Sequence, residues 1–321
     1  LDSSEIKDIQ NNQTGLIENL ISEVEKVFFG KRFVVELTIT SLIAKGHILI
    51  EDVPGVGKTT LAKGLSKALD LDFSRIQFTS DMLPSDILGT FVFNPSTAEF
   101  SFRSGPVFSN IILADEINRT SPRTQSALLE AMNENQVTID TETFQLPTPF
   151  FIMATQNPKE IQGTYFLPES QIDRFILSVT IGYPETSIEK EIIGGQNENE
   201  SFDQINKVLD SQQVQDLQKS VDSVSAQDEL IDYVHSIVLA TREADHFELG
   251  ASPRAGMQMM RAARGYALVK GRDYVTPDDI QTIAPHVLAH RLTLRGSSNI
   301  LGERSQVLSK IEDILSSIPA P

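Results

Sequence analysis

With 321 residues the chain is long enough for a sizeable core and two domains. It carries 44 acidic against 27 basic residues, a formal net charge of −17, which argues against a general nucleic-acid binder because phosphates are neutralised by Lys and Arg. There is no cysteine, which excludes disulfides and thiolate metal sites, and no apolar run approaches the roughly 20 residues needed to span a bilayer. The start, Leu1-Asp2-Ser3-Ser4-Glu5, lacks the basic and apolar regions of a secretory signal, so a cytoplasmic location is expected. Leu1 in place of Met points to a trimmed or incomplete start.

The first 45 or so residues read as helices. Ile6, Ile9, Ile17, Leu20, Ile21, Val24 and Val27 recur at helical spacing, Gly30 breaks the pattern, and a second helix is expected from about Phe33 to Ala44. Strands are then predicted at His47–Ile50, Arg75–Phe78, Ile111–Ala114, Phe150–Ala154 and Phe175–Val179. All but Arg75–Phe78, which alternates, are nearly continuously apolar, as strands buried on both faces are. Helical patterns separate most of them, so the expected fold class is α/β, a parallel sheet covered by helices. In one such helix Ser121 is a plausible N-cap, Pro122 suits the first helical position, and Ala127, Leu128, Ala131 and Met132 form an apolar stripe.

Two hairpins interrupt the alternation: Phe91–Phe93 with Phe100–Phe102, and Gln136–Ile139 with Thr143–Leu146. Such inserts either project from the body of the domain or reinforce an edge of the sheet. After Pro184 strand-like runs disappear. Polar stretches, Gly194 to Glu200 among them, alternate with amphipathic helices, which puts a domain boundary near Tyr183: residues 1–182, with the strands, and 183–321, helical.

The most informative stretch lies between the first predicted strand and a helix-like segment beginning at Leu61. Pro54-Gly55-Val56-Gly57-Lys58-Thr59-Thr60 has the order strand, glycine turn, Lys-Thr, helix, which makes a phosphate cradle. Glycines let backbone N–H groups close on an anion, Lys58 reaches the outer phosphates, and the Thr59 hydroxyl can ligate Mg²⁺. The pattern asks for glycine where this chain has Asp52, a position expected to tolerate a side chain.

Ile111-Ile112-Leu113-Ala114 ends in Asp115-Glu116. Beside a phosphate loop Asp115 suits Mg²⁺, directly or through water, and Glu116 suits activation of the attacking water. Asn157, at the polar tip of another buried strand, can orient that water, or Asn157-Pro158 simply starts a turn. Arg174 follows a short helical segment; it either pairs with Asp173 or Glu169 or reaches the nucleotide of the next subunit, and spacing does not separate the two. Arg254 sits in the first turn of a helix opened by Ser252-Pro253, where cations are disfavoured. A bound triphosphate would compensate, and a solvated surface Arg is the other reading. His286 and His290 share a helix face without a glutamate motif, and are expected to be ordinary packed or surface residues rather than metal ligands.

Taken together, Glu51–Thr59, Leu113–Arg119, Gln125–Met132, Ala154–Pro158, Asp173-Arg174-Phe175 and Ser252–Ala255 resemble the AAA+ ATPases, and within them the MoxR family, over essentially the whole length. The resemblance implies an AAA+ P-loop core with a five-stranded parallel sheet and inserted β-hairpins, followed by an α-helical lid. It implies ATP and Mg²⁺ as cofactors, held between subunits of a ring, expected to be a hexamer. By motif match Asn157 corresponds to sensor 1, Arg174 to the arginine finger and Arg254 to sensor 2. MoxR-type proteins are thought to be chaperone-like remodelers of protein clients, often alongside von Willebrand factor A domain proteins, aiding metal insertion or complex maturation.

Two other functions share the motifs: a nucleic-acid motor, and a nucleotide-binding switch with little hydrolysis. Ile76 to Phe102 and Asn133 to Leu146 contain no Lys or Arg, whereas a loop that grips nucleic acid needs cations or stacking aromatics beside the phosphates. Phe91, Phe93, Phe100 and Phe102 are present, with Arg103 as the single cation at their base. Glu116, Asn157 and Arg174 argue against an inert switch. The expectation is an ATP-hydrolysing remodeler that binds no nucleic acid and does not insert into membrane.

Overall fold

The computed structural model describes residues 3–157, 165, 167–194, 202–296 and 304–321. Pro158, Gly195–Glu200 and the side chains of Ile6 and Ile9 lie outside the described residues. Two helices open the chain, α1 (Ser3–Glu25) and α2 (Arg32–Ile43). Ile17, Leu20, Ile21 and Val24 of α1 and Leu37, Ile39, Leu42 and Ile43 of α2 are buried, as the spacing predicts.

Five strands form one parallel sheet in the order β2-β5-β8-β1-β9, with β1 at His47–Glu51, β2 at Phe73–Gln77, β5 at Ile111–Asp115, β8 at Phe151–Gln156 and β9 at Phe175–Val179. Ile48, Leu49 and Ile50 of β1, the apolar run of β5 and that of β8 are buried between helix layers. This is why those strands read as unbroken apolar runs. β1 lies between β8 and β9, out of chain order, so the crossovers on its two sides run in opposite senses. Ligands bind at such a switch point, outside the carboxyl ends of the strands. There the ends of β1, β5 and β8 deliver Asp52, Asp115 and Asn157.

α3 (Lys58–Ala68) follows the glycine turn, and α5 (Pro122–Glu134) is capped as expected, its Thr124 amide donating to the Ser121 hydroxyl at 3.4 Å. The first hairpin is β3 (Gly89–Asn94) with β4 (Glu99–Ser104), after the short helix α4 (Pro84–Leu88). The other is β6 (Gln136–Ile139) with β7 (Glu142–Gln145). Each is a two-stranded sheet of its own, so neither reinforces the edge of the main sheet. Phe102 stacks on Phe144 with ring centroids 4.1 Å apart, joining the hairpins at their bases. The far end of the first is left open, with Phe93 49% and Phe100 70% exposed.

A short helix, α6 (Glu169–Ile172), precedes β9. Beyond Pro184 come α7 (Thr186–Ile193), α8 (Ser211–Ser223), α9 (Asp228–Glu243), α10 (Pro253–Val269), α11 (Pro277–Leu288) and α12 (Arg304–Ser317). This region is not wholly helical: β10 (Phe247–Leu249) pairs antiparallel with β11 (Thr293–Leu294), a ladder too short for a periodicity to show. α8 and α10 close on α2. Gln218 donates to the Leu42 carbonyl at 2.9 Å, and Gly265 lets α10 approach so near that an added Cβ would lie 3.2 Å from the Thr40 carbonyl. One apolar cluster therefore runs from α1 and α2 through β1 and α3 into these helices.

His47 ties the sheet to α5. Its Nδ1 accepts from the Ile152 amide and its Nε2 lies by the Met132 carbonyl, each at 3.1 Å. That pattern requires the neutral ring with the proton on Nε2, and burial pushes its pKa down to about 4. Between an unfolded value of about 6.5 and this folded value, the unfolded chain binds a proton that the folded one refuses. His47 therefore withdraws stability as pH falls from about 6.5 towards 4, at up to about 1.4 kcal/mol per pH unit. Urea midpoints of wild type and His47→Gln should diverge in this way across that window; parallel pH profiles would contradict it.

Candidate functional site

A cleft of about 630 Å³ opens at the carboxyl ends of β1, β5 and β8. Its floor is the glycine turn, from Pro54 to Thr60. Gly55 and Gly57 have φ of +85° and +90°, and an added Cβ at Gly57 would lie 3.2 Å from the Phe28 ring. Both requirements favour glycine at Gly57. α3 begins at Lys58, so the unsatisfied amides of its first turn face the cleft, where an anion is favoured.

Lys58 Nζ donates to the Asp52 carbonyl at 2.7 Å. Burial draws its ammonium below the ordinary lysine range, and Asp115, Asp52 and Glu116 oppose that shift. A half-buried ammonium held on one carbonyl has spare donors for an incoming anion.

Asp52 is more than tolerated. It is 6% exposed, and its carboxylate accepts from the Val53 amide at 2.8 Å and from the Ile181 and Gly182 amides at 2.7 Å each. The residue that departs from the glycine pattern thus fastens the phosphate loop to the chain leaving β9. Beside it, Glu51 accepts from Gln156 at 2.7 Å and from Ser178 at 2.6 Å, and pairs with Arg304 of α12. Burial lowers the Arg304 pKa to about 10.

The carboxylates opposite Lys58 are held by groups that the strand pattern did not reveal. The Thr155 hydroxyl donates to Asp115 Oδ1 at 2.7 Å and accepts from the Glu116 amide at 2.9 Å. Asp115 Oδ2 accepts from Arg75 at 2.5 Å. Glu116, in a left-handed conformation with φ +58°, accepts on Oε2 from Gln77 at 2.8 Å and from Arg119 at 3.0 Å. Arg75 and Gln77 belong to β2, the strand whose sequence alternates. That alternation was the available signal: β2 is the sheet's edge, with Ile76 turned to the core and Arg75 and Gln77 lining the cleft. Asn157 lines the same wall. Phe28, Phe29 and Phe202 add an apolar side, from the turn after α1 and from beyond α7, that no motif announces.

Mg²⁺ and a nucleotide fit these residues. The hard oxygens of Thr59 and Asp115 suit Mg²⁺, which binds through few protein ligands when phosphates complete its shell. The amides of the α3 first turn and Lys58 suit a polyphosphate.

Arg174 and Arg254 do not line this cleft. Arg174 donates to the Leu129 carbonyl at 2.5 Å, and Asp173 takes Arg291 at 2.7 Å and Arg254 at 3.9 Å, so the Asp173–Arg174 pairing read as one alternative is not what forms. Burial, with help from the nearby Arg254, lowers the Arg174 pKa. Ser252 caps the helix that carries Arg254, its hydroxyl accepting from the Ala255 amide at 3.1 Å, and the Arg254 side chain is 51% exposed. His286 and His290 pack against the Ser178 and Phe175 carbonyls, each at 3.1 Å, as ordinary packed histidines. Among the described residues no helix is long and apolar enough to cross a membrane.

Residues 47–177 match the ATPase family associated with various cellular activities (AAA), and residues 239–311 match the AAA lid domain. The chain is 45% identical to the Bacillus subtilis (strain 168) protein YeaC over 95% of each. It is 42% identical to Chaperone MoxR1 of Mycobacterium tuberculosis, covering 87% of this chain and 76% of that one. A crystal structure of a Cytophaga hutchinsonii protein superposes with a TM-score of 0.87 at 37% identity, over 99% of this chain and 98% of that chain. A phosphate loop at the switch point of the β2-β5-β8-β1-β9 parallel sheet, a helical lid and these relatives converge on one conclusion: the chain belongs to the MoxR family of AAA+ ATPases, and it binds nucleotide and hydrolyses ATP.

Proposed function

We propose that the protein is a chaperone-like remodeler of protein clients, a ring, in keeping with a hexamer, in which Mg²⁺·ATP sits between subunits. Pro54 to Thr60 cradle the phosphates and Lys58 contacts the outer ones. Thr59 and Asp115 hold Mg²⁺, which would screen phosphate charge there. Glu116 takes the proton of the attacking water, and Asn157 orients that water. Gln77 and Arg119 both bond Oε2 of Glu116 and so orient its carboxylate, and Oε1 is the oxygen that takes the proton. The unit boundary falls near Tyr183, between residues 1–182 and 183–321, just beyond the amides held by Asp52.

One observation carries the reading. Arg174 and Arg254 stand together outside their own chain's cleft, half-exposed or bonded to a single carbonyl, so they are available to the nucleotide of a neighbouring subunit. A bound triphosphate would offset the unfavourable position of Arg254 at a helix N-terminus. The open end of the β3–β4 hairpin supports a protein client over nucleic acid, since Phe93 and Phe100 are exposed there with no cation between Ile76 and Phe102. Work alongside von Willebrand factor A domain proteins, in metal insertion or complex maturation, is the setting the family resemblance favours.

Lys58→Ala should weaken ATP binding in a fluorescence titration, and unchanged affinity would contradict the phosphate role. Glu116→Gln should keep binding and lose on the order of 10²–10⁴ in turnover. Arg174→Ala should lose on the order of 10³ or more. Mixing the Arg174→Ala and Glu116→Gln proteins should restore turnover, because some interfaces then hold both groups intact. Absence of rescue in mixed assemblies that do form would overturn the action in trans.

A further inference from the structure

Arg75 is a cation placed where a divalent metal would otherwise find its ligand. β2 and β5 run in register, with Gln77 opposite Asp115, so side chains two apart on β2 reach the end of β5. Arg75 Nη2 lies 2.5 Å from Asp115 Oδ2 and 2.8 Å from Gln77 Oε1. The other Asp115 oxygen, Oδ1, is taken by the Thr155 hydroxyl. Metal–oxygen bonds to Mg²⁺ are about 2.0–2.1 Å long, and a guanidinium at hydrogen-bond distance from the same oxygen would meet the ion at close range as a like charge. The two cations compete for one carboxylate face. A bare divalent ion must expel a tethered competitor of like charge. A metal–triphosphate complex arrives with net negative charge, which the displaced guanidinium can face across the cleft.

We propose that Arg75 is a tethered counter-cation that holds the metal-binding face of Asp115 in the nucleotide-free protein and yields it to a metal–nucleotide complex. This rests on Asp115 being the metal ligand, as in the reading above. The device has two consequences. It gives Asp115 a cation of its own beside Glu116, which Arg119 pairs. It also makes the empty site discriminate against free divalent ions, so that metal enters with its nucleotide. Arg75 is 47% exposed, so it has room to swing away without disturbing the core.

Mn²⁺ alone, titrated into nucleotide-free protein and followed by the electron paramagnetic resonance of the free ion, tests this without reference to turnover. Arg75→Met should bind Mn²⁺ about tenfold more tightly than wild type, a modest gain because the pair is partly solvated. Arg75→Lys, which keeps the charge, should stay near wild type. The gain should vanish when Asp115→Asn is added to Arg75→Met. Equal Mn²⁺ affinity in wild type and Arg75→Met would overturn the proposal, and so would a gain that survives Asp115→Asn. Fluorescent ATP binding measured on the same proteins separates two further failures. Arg75→Met that loses nucleotide affinity without gaining Mn²⁺ makes Arg75 a phosphate ligand instead. Wild type that binds no nucleotide would sink the reading of the cleft, while the Mn²⁺ comparison would still decide the role of Arg75.

Discussion

A single hydroxyl orders the acidic end of the cleft. Thr155 is fully buried at the end of a central strand, and it both donates to Asp115 and accepts from the backbone of Glu116. One group thereby sets the rotamer of the first carboxylate and the turn that presents the second. The turn is an unusual one: Glu116 adopts φ +58°, a conformation that costs a non-glycine residue free energy and persists where surrounding bonds over-determine it. Thr155 and Arg119 are those bonds. The sheet order sets β8 beside β5, which brings the Thr155 hydroxyl level with both residues at the end of that strand.

The loop strand is fastened in the other direction. Glu51 and Asp52, just ahead of the phosphate loop, bind β9, the chain that leaves it and the final helix through Ser178, Ile181, Gly182 and Arg304. Gly182 has φ +68°, and the helices of the lid follow it. Any displacement of the chain after Val179 therefore pulls on the carboxylate whose backbone carbonyl holds Lys58. This joins the phosphate loop to the chain segment that leads into the following helices, through hydrogen bonds to charged acceptors, which are stronger than neutral ones.

The parallel sheet, its hairpins and the capped helix α5 were legible because each has a local cause: burial on both faces, alternation around a turn, or a Ser-Pro start. The phosphate loop and the two carboxylates were legible because their order along the chain is itself the signal. Other parts of the site were not. Arg75, Gln77 and Thr155 act from strands, and a strand pattern reports which face is buried, never what the other face meets. Phe202 and the amides of Ile181 and Gly182 come from a distant part of the chain and are gathered by tertiary packing alone. Asp52 looked like a tolerated exception to a glycine rule, because its partners lie 129 and 130 residues away. The small β10–β11 ladder was missed for want of length.

In the proposed ring each cleft is incomplete without its neighbour: base, metal ligand and Lys58 on one chain, two arginines from the next. The most direct test is turnover per subunit as a function of protein concentration, read beside sedimentation velocity on the same samples. Turnover should rise from near zero in the monomer to a plateau as rings assemble, with the two curves sharing one midpoint. A monomer that hydrolyses ATP at the plateau rate would contradict the account.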